Sequence, residues 1–109
     1  MDVFGITTYA MRGLQRRSEA IADNIANMNT ENHRATGVSF EEELRLAIVD
    51  ERRAPAPESF ERDTPVNQMG NTVQLDIEFT ELTRTSLARQ VVVNGFNSKM
   101  DIMKTAAGR

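Results

Sequence analysis

The sequence predicts a mainly α-helical chain: two long terminal helices folded as an antiparallel coiled-coil hairpin, with a short helix and a flexible, Pro-rich segment between them. Three observations lead there. Apolar residues recur in alternating steps of three and four at the start of the chain; the same spacing returns over the last third; and the prolines, Pro55, Pro57 and Pro65, all fall in the middle.

The N-terminal helix is predicted over residues 1–28. Its seam runs Phe4, Thr7, Met11, Leu14, Ser18, Ile21, Ile25, Met28, with only Thr7 and Ser18 polar. A seam of this period faces one partner helix along its length. Near its end stand Asn24, Asn27 and Asn29. Asn in a helix interior costs up to about 0.7 kcal/mol relative to Ala. Either the helix stops here and the amides cap and turn it, or a surface beyond the helix uses them.

Residues 29–72 form the middle segment. Ser39 and Glu42 have capping-box spacing, and Phe40, Leu44 and Ile48 then share a face, so a short helix is expected over 40–50. The remainder, 51–72, has prolines, Gly70 and little apolar periodicity, and is read as an exposed flexible linker. The C-terminal helix is placed over 73–109. Its opening "VQLDIEF" alternates apolar and polar residues, so the first few are expected to be extended, with Asp76 as N-cap. Its seam is Leu75, Phe79, Leu82, Ser86, Arg89, Val93, Phe96, Met100 and Met103.

Antiparallel pairing in which residue numbers sum to 107 sets Phe4 against Met103, Met11 against Phe96, Leu14 against Val93 and Ile25 against Leu82. The intramolecular seam is thereby assigned to Met11, Leu14, Ile21, Ile25, Leu82, Val93 and Met100. A register shifted by one heptad matches nearly as well, because a long linker does not fix it. Some apolar surface is left over. Val91, Val92 and Val93 together span about 200° of helix surface, more than one partner can cover. Ala22 and Ala26 lie off the seam and would admit another backbone closely. The middle segment could fold back over these residues, but it offers few large apolar side chains. Contacts with other chains are therefore expected, with Ala22, Asn24, Ala26, Asn27, Asn29, Val91, Val92 and Phe96 as candidate subunit-interface residues.

Composition excludes several functions. At 109 residues, with 6% aromatic content, the chain makes one domain with a thin core. A net charge of -3 without a basic stripe argues against nucleic-acid binding. There is no cysteine and no apolar run long enough for a membrane span or a cleavable leader. His33 is the only histidine, so no His-based metal cluster is possible; Gly5, Gly13 and Gly95 form no phosphate-binding motif, no metal or cofactor is expected, and no constellation of residues supports an enzyme.

The segments "IADNIANMNT", "FEEEL", "GNTVQLDIEFTEL" and "MDIMKTAAGR", in that order, resemble the bacterial flagellar rod proteins, and are most similar to the short proximal-rod members. The resemblance covers about 10–46 and 69–109. It departs from the family after Asn29-Thr30, where Glu31-Asn32-His33 replaces the usual Pro-Gly-Tyr, and at Arg89-Gln90, where relatives often carry an aromatic residue before the Gln. It implies a structural subunit of the proximal rod, part of the drive shaft that carries motor torque to hook and filament. The implied partners are other rod proteins and basal-body components, further copies of this chain, and the flagellar type III export apparatus. The implied location is the basal body, in the periplasm or cell-wall space after export from the cytoplasm. The competing reading from the residues alone is a small helical-hairpin adaptor or regulatory binding protein.

Overall fold

The computed structural model describes residues 2–50 and 55–108. In chain order the elements are α1 (Val3–Ala26), β1 (Thr36–Ser39), α2 (Glu41–Asp50), β2 (Glu58–Glu61) and α3 (Leu75–Ala107). A long helix at each end and a short one between agree with the sequence. The molecule is elongated, 65 × 25 × 14 Å, with a radius of gyration of 17.3 Å; a compact domain of this length would have about 13 Å.

Helix α1 starts where Asp2 accepts a hydrogen bond from the Gly5 N–H at 2.7 Å, a side-chain cap that also places an acid at the positive end of the helix. It stops at the Asn cluster. Asn27 is the C-cap, and its side-chain amide donates back to the Asp23 carbonyl at 2.8 Å. The chain then turns through Asn32, which takes a φ of 60°, a region Asn tolerates better than most residues.

The middle segment departs most from expectation. β1 and β2 pair antiparallel, Thr36 opposite Glu61 and Ser39 opposite Glu58, so residues 58–61 of the expected linker are a strand. Its first residues, 51–54, lie outside those described. Two strands of four residues carry too little alternation to be read locally. What sustains β1 is α1: Asn24 donates to the Thr36 carbonyl (2.9 Å) and accepts from the Thr36 N–H (3.0 Å), and Arg17 donates to the Val38 carbonyl (2.7 Å). Side chains of a helix thus occupy one edge of the sheet, where another strand would otherwise bond. Before α3, Asn67 accepts the N–H groups of Met69 and Asn71, and Gly70 takes a φ of 74°, closing a tight turn that glycine suits.

Two helix starts are corrected. In α2 the Phe40 carbonyl accepts the Leu44 N–H, which makes Phe40 the capping position; Ser39 belongs to β1 and stands one residue too early for a capping box. Ile48 is exposed, and Ala47 is buried in its place. α3 begins at Leu75, with Gln74 as a cap that makes no side-chain bond, so Asp76 is a first-turn acid beside Glu78 and not the N-cap.

The core is formed by Tyr9, Leu14, Val38 and Phe40, with Met11, Ala20, Leu44, Ala88 and Val92 packed around it. The middle segment therefore does fold back, through β1 and the start of α2. Tyr9 meets Phe40 edge to face with ring centroids 6.2 Å apart, and the Arg17 guanidinium lies 4.9 Å over the same ring.

α1 and α3 meet at Phe4–Phe96 (ring centroids 5.7 Å), where Arg89 reaches Ser18 (3.1 Å), and at Asn24–Glu78 (2.8 Å). Phe4 thus faces Phe96, one heptad from the Met103 that the sum of 107 assigns to it. On α3 the residues turned inward are Ile77, Glu78, Glu81, Thr85, Ala88, Arg89, Val92, Phe96 and Met100. Leu82 and Val93, assigned to the seam, are each 40% exposed. The other seam residues, Met11, Leu14, Ile21, Ile25 and Met100, are buried or half-buried. The inward face of α3 is rotated by one position from the apolar stripe over much of its length. Its physical cause is polar: Glu78 and Thr85 are on the inward face, fully buried, and a count of apolar residues passes over them. A strict heptad also drifts about 20° per repeat on a straight helix.

Candidate assembly interface

With one face of α3 against α1, the apolar stripe that the sequence displays is left open. Leu75, Phe79, Leu82 and Val93 fall within about 60° of one another around the helix axis, on the flank beside the α1 contact. All four are exposed, Phe79 by 55%. On the opposite flank Leu87, Val91 and Ile102 are exposed by 57%, 70% and 65%. α3 also outruns its partner: past Phe96 it continues for about three turns beyond the start of α1, and Met100 is the only residue there that is not exposed among those described. An elongated helix pair with an apolar stripe along one flank and an unpaired end is shaped to pack against other helices.

Beside this surface lies a buried polar network that ties four segments together. Glu78 is fully buried. Its carboxylate accepts both from Arg62 (2.5 Å to each oxygen) and from the Asn24 amide (2.8 and 3.1 Å). Asn24 in turn holds Thr36 through both its backbone groups. A buried carboxylate whose two oxygens share one guanidinium nitrogen, Nη1 of Arg62, and an amide donor has the partners that burial demands. A second tie lies at the helix ends: Asn71 donates to the carbonyls of Asn27 and Thr30 at 2.8 Å each, and the Thr72 hydroxyl accepts the Ala35 N–H at 2.7 Å.

The interface candidates separate accordingly. Asn24 is internal and has no part in an exposed surface; burial with Glu78 and Thr36 explains its place in the helix. Val92 is likewise turned inward, onto the core. Asn27 is half-buried and serves the helix end, accepting the Thr30 hydroxyl at 3.0 Å as well as donating to Asp23. Asn29 is exposed in the turn that follows; Ala22, Ala26 and Val91 are exposed on the helices; Phe96 is half-buried against Phe4. Sequence reasoning missed Tyr9, Arg62, Glu78, Asn71 and Thr72. Their partners lie far along the chain, so no local spacing signals them.

A cavity of about 260 Å³ lies between Arg17, Val38, Phe60, Arg62, Ile77 and Glu81. Both arginines are engaged, Arg17 with Glu41 and the Val38 carbonyl and Arg62 with Glu78, so they are not converging donors for an anion. Among the described residues no group of His, Asp or Glu could hold a metal ion, and no helix is long and apolar enough to cross a membrane.

Comparison with known proteins gives the same direction as the resemblance. The family model described as "Flagella basal body rod protein" matches residues 8–34, which span most of α1 and the turn after it. The flagellar basal body rod protein FlgB of Bacillus subtilis (strain 168) is 32% identical over 82% of this chain and 80% of its own length. FlgB of Aeromonas hydrophila is 30% identical over 96% of this chain and 92% of its own. A shorter match, 49% identical over 38% of this chain and 17% of the relative, is to the rod protein FlgF of Mesorhizobium japonicum. These relatives are structural proteins of the flagellum and not enzymes. The chain belongs to the flagellar basal body rod protein family, as a structural subunit most like FlgB.

Proposed function

We propose that this chain is a subunit of the proximal rod and that its terminal helices, paired as an antiparallel coiled-coil hairpin, pack beside those of neighbouring subunits to build the drive shaft that carries torque to hook and filament. The observation that carries the reading is the open stripe Leu75, Phe79, Leu82 and Val93 on a helix whose adjacent face is already occupied by α1. Torque transmission needs many lateral helix contacts and no bond chemistry, which suits a subunit with long exposed helical faces. The neighbours are other rod proteins, basal-body components and further copies of this chain. Ala22, Ala26, Asn29 and Val91 belong to the same set of exposed contacts, and Phe96 borders it. The route is export from the cytoplasm through the flagellar type III apparatus, with assembly in the periplasm or cell-wall space. A thin core tied largely by side-chain hydrogen bonds is compatible with passage in an unfolded state.

The test is a double substitution, Phe79→Glu with Leu82→Glu, in cells that lack the wild-type copy. Both positions are exposed, so the isolated subunit should keep its fold. The expected result is a variant that is made and secreted while rods are absent and cells do not swim. Normal swimming would show that this flank faces solvent in the assembled flagellum.

A further inference from the structure

Read from the sequence alone, the apolar stripes of α1 and α3 fit registers one heptad apart nearly equally well. Yet the structure has a single register, with Phe4 at Phe96 and Asn24 at Glu78. We propose that the Arg62–Glu78–Asn24 network is the register lock of the helix pair, and that it sets how far α3 projects beyond α1.

Three observations converge on this. First, the network is the most polar and least exposed part of the contact: Glu78 and Asn24 are both 0% exposed and the Arg62 side chain 13%. Second, its members come from different segments. Asn24 is on α1 and is fixed to β1 through the N–H and carbonyl of Thr36; Arg62 follows β2, and its own N–H is bonded to the Ala35 carbonyl at 2.9 Å; Glu78 alone is on α3. Asn24 and Arg62 thus form a fixed socket into which α3 places one carboxylate. Third, the apolar stripe read from the sequence repeats along the helix and the socket does not. A slip of one heptad moves Glu78 about 10 Å along the axis, well outside hydrogen-bond reach of either partner. The slipped state still sets an apolar residue, Met103, against Phe4, but it loses every bond of the network and brings Gly95 and Lys99 to the places of Ala88 and Val92. A buried polar group specifying register is the best-attested role of such groups in paired helices.

The consequence is geometric. In the observed register about three turns of α3 extend past the start of α1; slipping towards the 107 pairing would shorten that extension to about one turn. If the helices assemble as proposed above, the lock fixes the length of helix offered to the next subunit, but the inference concerns the isolated chain and stands or falls without assembly.

The experiment measures register directly. The chain has no cysteine, so Ala22→Cys with Asp101→Cys, both exposed, can carry spin labels at two defined sites. Distances are read by pulsed electron resonance on the full chain, diluted with unlabelled protein to remove intermolecular terms. With the lock intact one distance is expected. With Glu78→Leu a second population, displaced by about 10 Å, should appear while helicity is retained. An unchanged single distance in a helical Glu78→Leu variant would overturn the proposal and assign the register to the Asn71–Thr72 tie or to packing. If Glu78→Leu unfolds because Arg62 is stranded, the Glu78→Leu/Arg62→Met pair, which removes both charges, decides by the same readout. A single unshifted distance there overturns the lock, and a second population upholds it; loss of helicity in that pair as well would show that the network supplies stability and not register, which also overturns it.

Discussion

Gly13 lies directly beneath the ring of Phe40: a Cβ built on Gly13 would stand 2.4 Å from Cγ of that ring. Phe40 is 3% exposed and is held by Tyr9 on one side and Arg17 on another, so the ring has little freedom to withdraw. Gly13→Ala gains about 1 kcal/mol of helix propensity and incurs an overpacking cost of about 1–3 kcal/mol. Net destabilisation of up to about 2 kcal/mol is expected from urea unfolding. Gly95 is the control, since a Cβ there meets nothing within 4 Å. Gly95→Ala should stabilise by about 1 kcal/mol. Equal effects at the two positions would show that Phe40 does not pack on α1 as described.

Two asparagines of one cluster should behave oppositely. Asn24→Ala removes the bonds to Thr36 and takes one donor from a buried carboxylate, a loss of about 2–4 kcal/mol. Asn29→Ala, in an exposed turn, should stay within about 0.5 kcal/mol. Denaturation midpoints of the two variants check this, and a stable Asn24→Ala protein would contradict the network.

Arg62→Ala leaves the Glu78 carboxylate buried without its cation, which should cost about 3–5 kcal/mol. Adding Glu78→Leu to that variant should restore part of the stability, because the stranded charge is gone. Additive losses in the double-mutant cycle would mean that the two side chains are not coupled.

Tyr9 gives a pH dependence. Its hydroxyl donates to the Pro55 carbonyl at 2.7 Å, and its pKa is raised, first by burial and then by the nearby charges of Glu43, Glu41 and Glu58. The fold therefore favours the neutral phenol. Its stabilising contribution is complete below the ordinary tyrosine pKa and is lost as pH rises through the raised value. Tyr9 is the only tyrosine and there is no tryptophan, so an ultraviolet absorbance titration reads it alone. Ionisation should begin above the pH at which the unfolded chain titrates. Tyr9→Phe should abolish this component of alkaline destabilisation, at a cost of about 1 kcal/mol near neutrality from the lost hydrogen bond.

Adjacent valines separate the two faces of α3. Val92→Glu puts a charge against the core and should lower stability by several kcal/mol in the isolated chain. Val91→Glu, at a site 70% exposed, should leave isolated stability within about 0.5 kcal/mol. Thermal unfolding of the purified variants distinguishes them; similar midpoints would place both residues on the surface.

By itself the sequence determined the long helices, because repeating apolar spacing is a local property that any stretch of chain displays. It placed the end of α1 near Met28, among the Asn residues, but left open whether their amides cap the helix or meet another surface; the structure shows Asn27 acting within one turn, on Asp23. The family resemblance was legible for the same reason, in contiguous segments. Only the tertiary structure decided which face of α3 turns inward and at what register. Leu82 and Val93 continue an apolar stripe, yet Glu78 and Thr85 are the residues buried, because a carboxylate on α3 finds its guanidinium 16 residues away at Arg62 and its amide 54 away at Asn24. The strands β1 and β2 were hidden likewise: each is four residues long, and what completes the edge of β1 is Asn24 and Arg17 on a helix. Periodicity records which residues avoid water, but a buried polar group is stabilised only by the partner that folding brings to it, and that partner has no fixed distance along the chain.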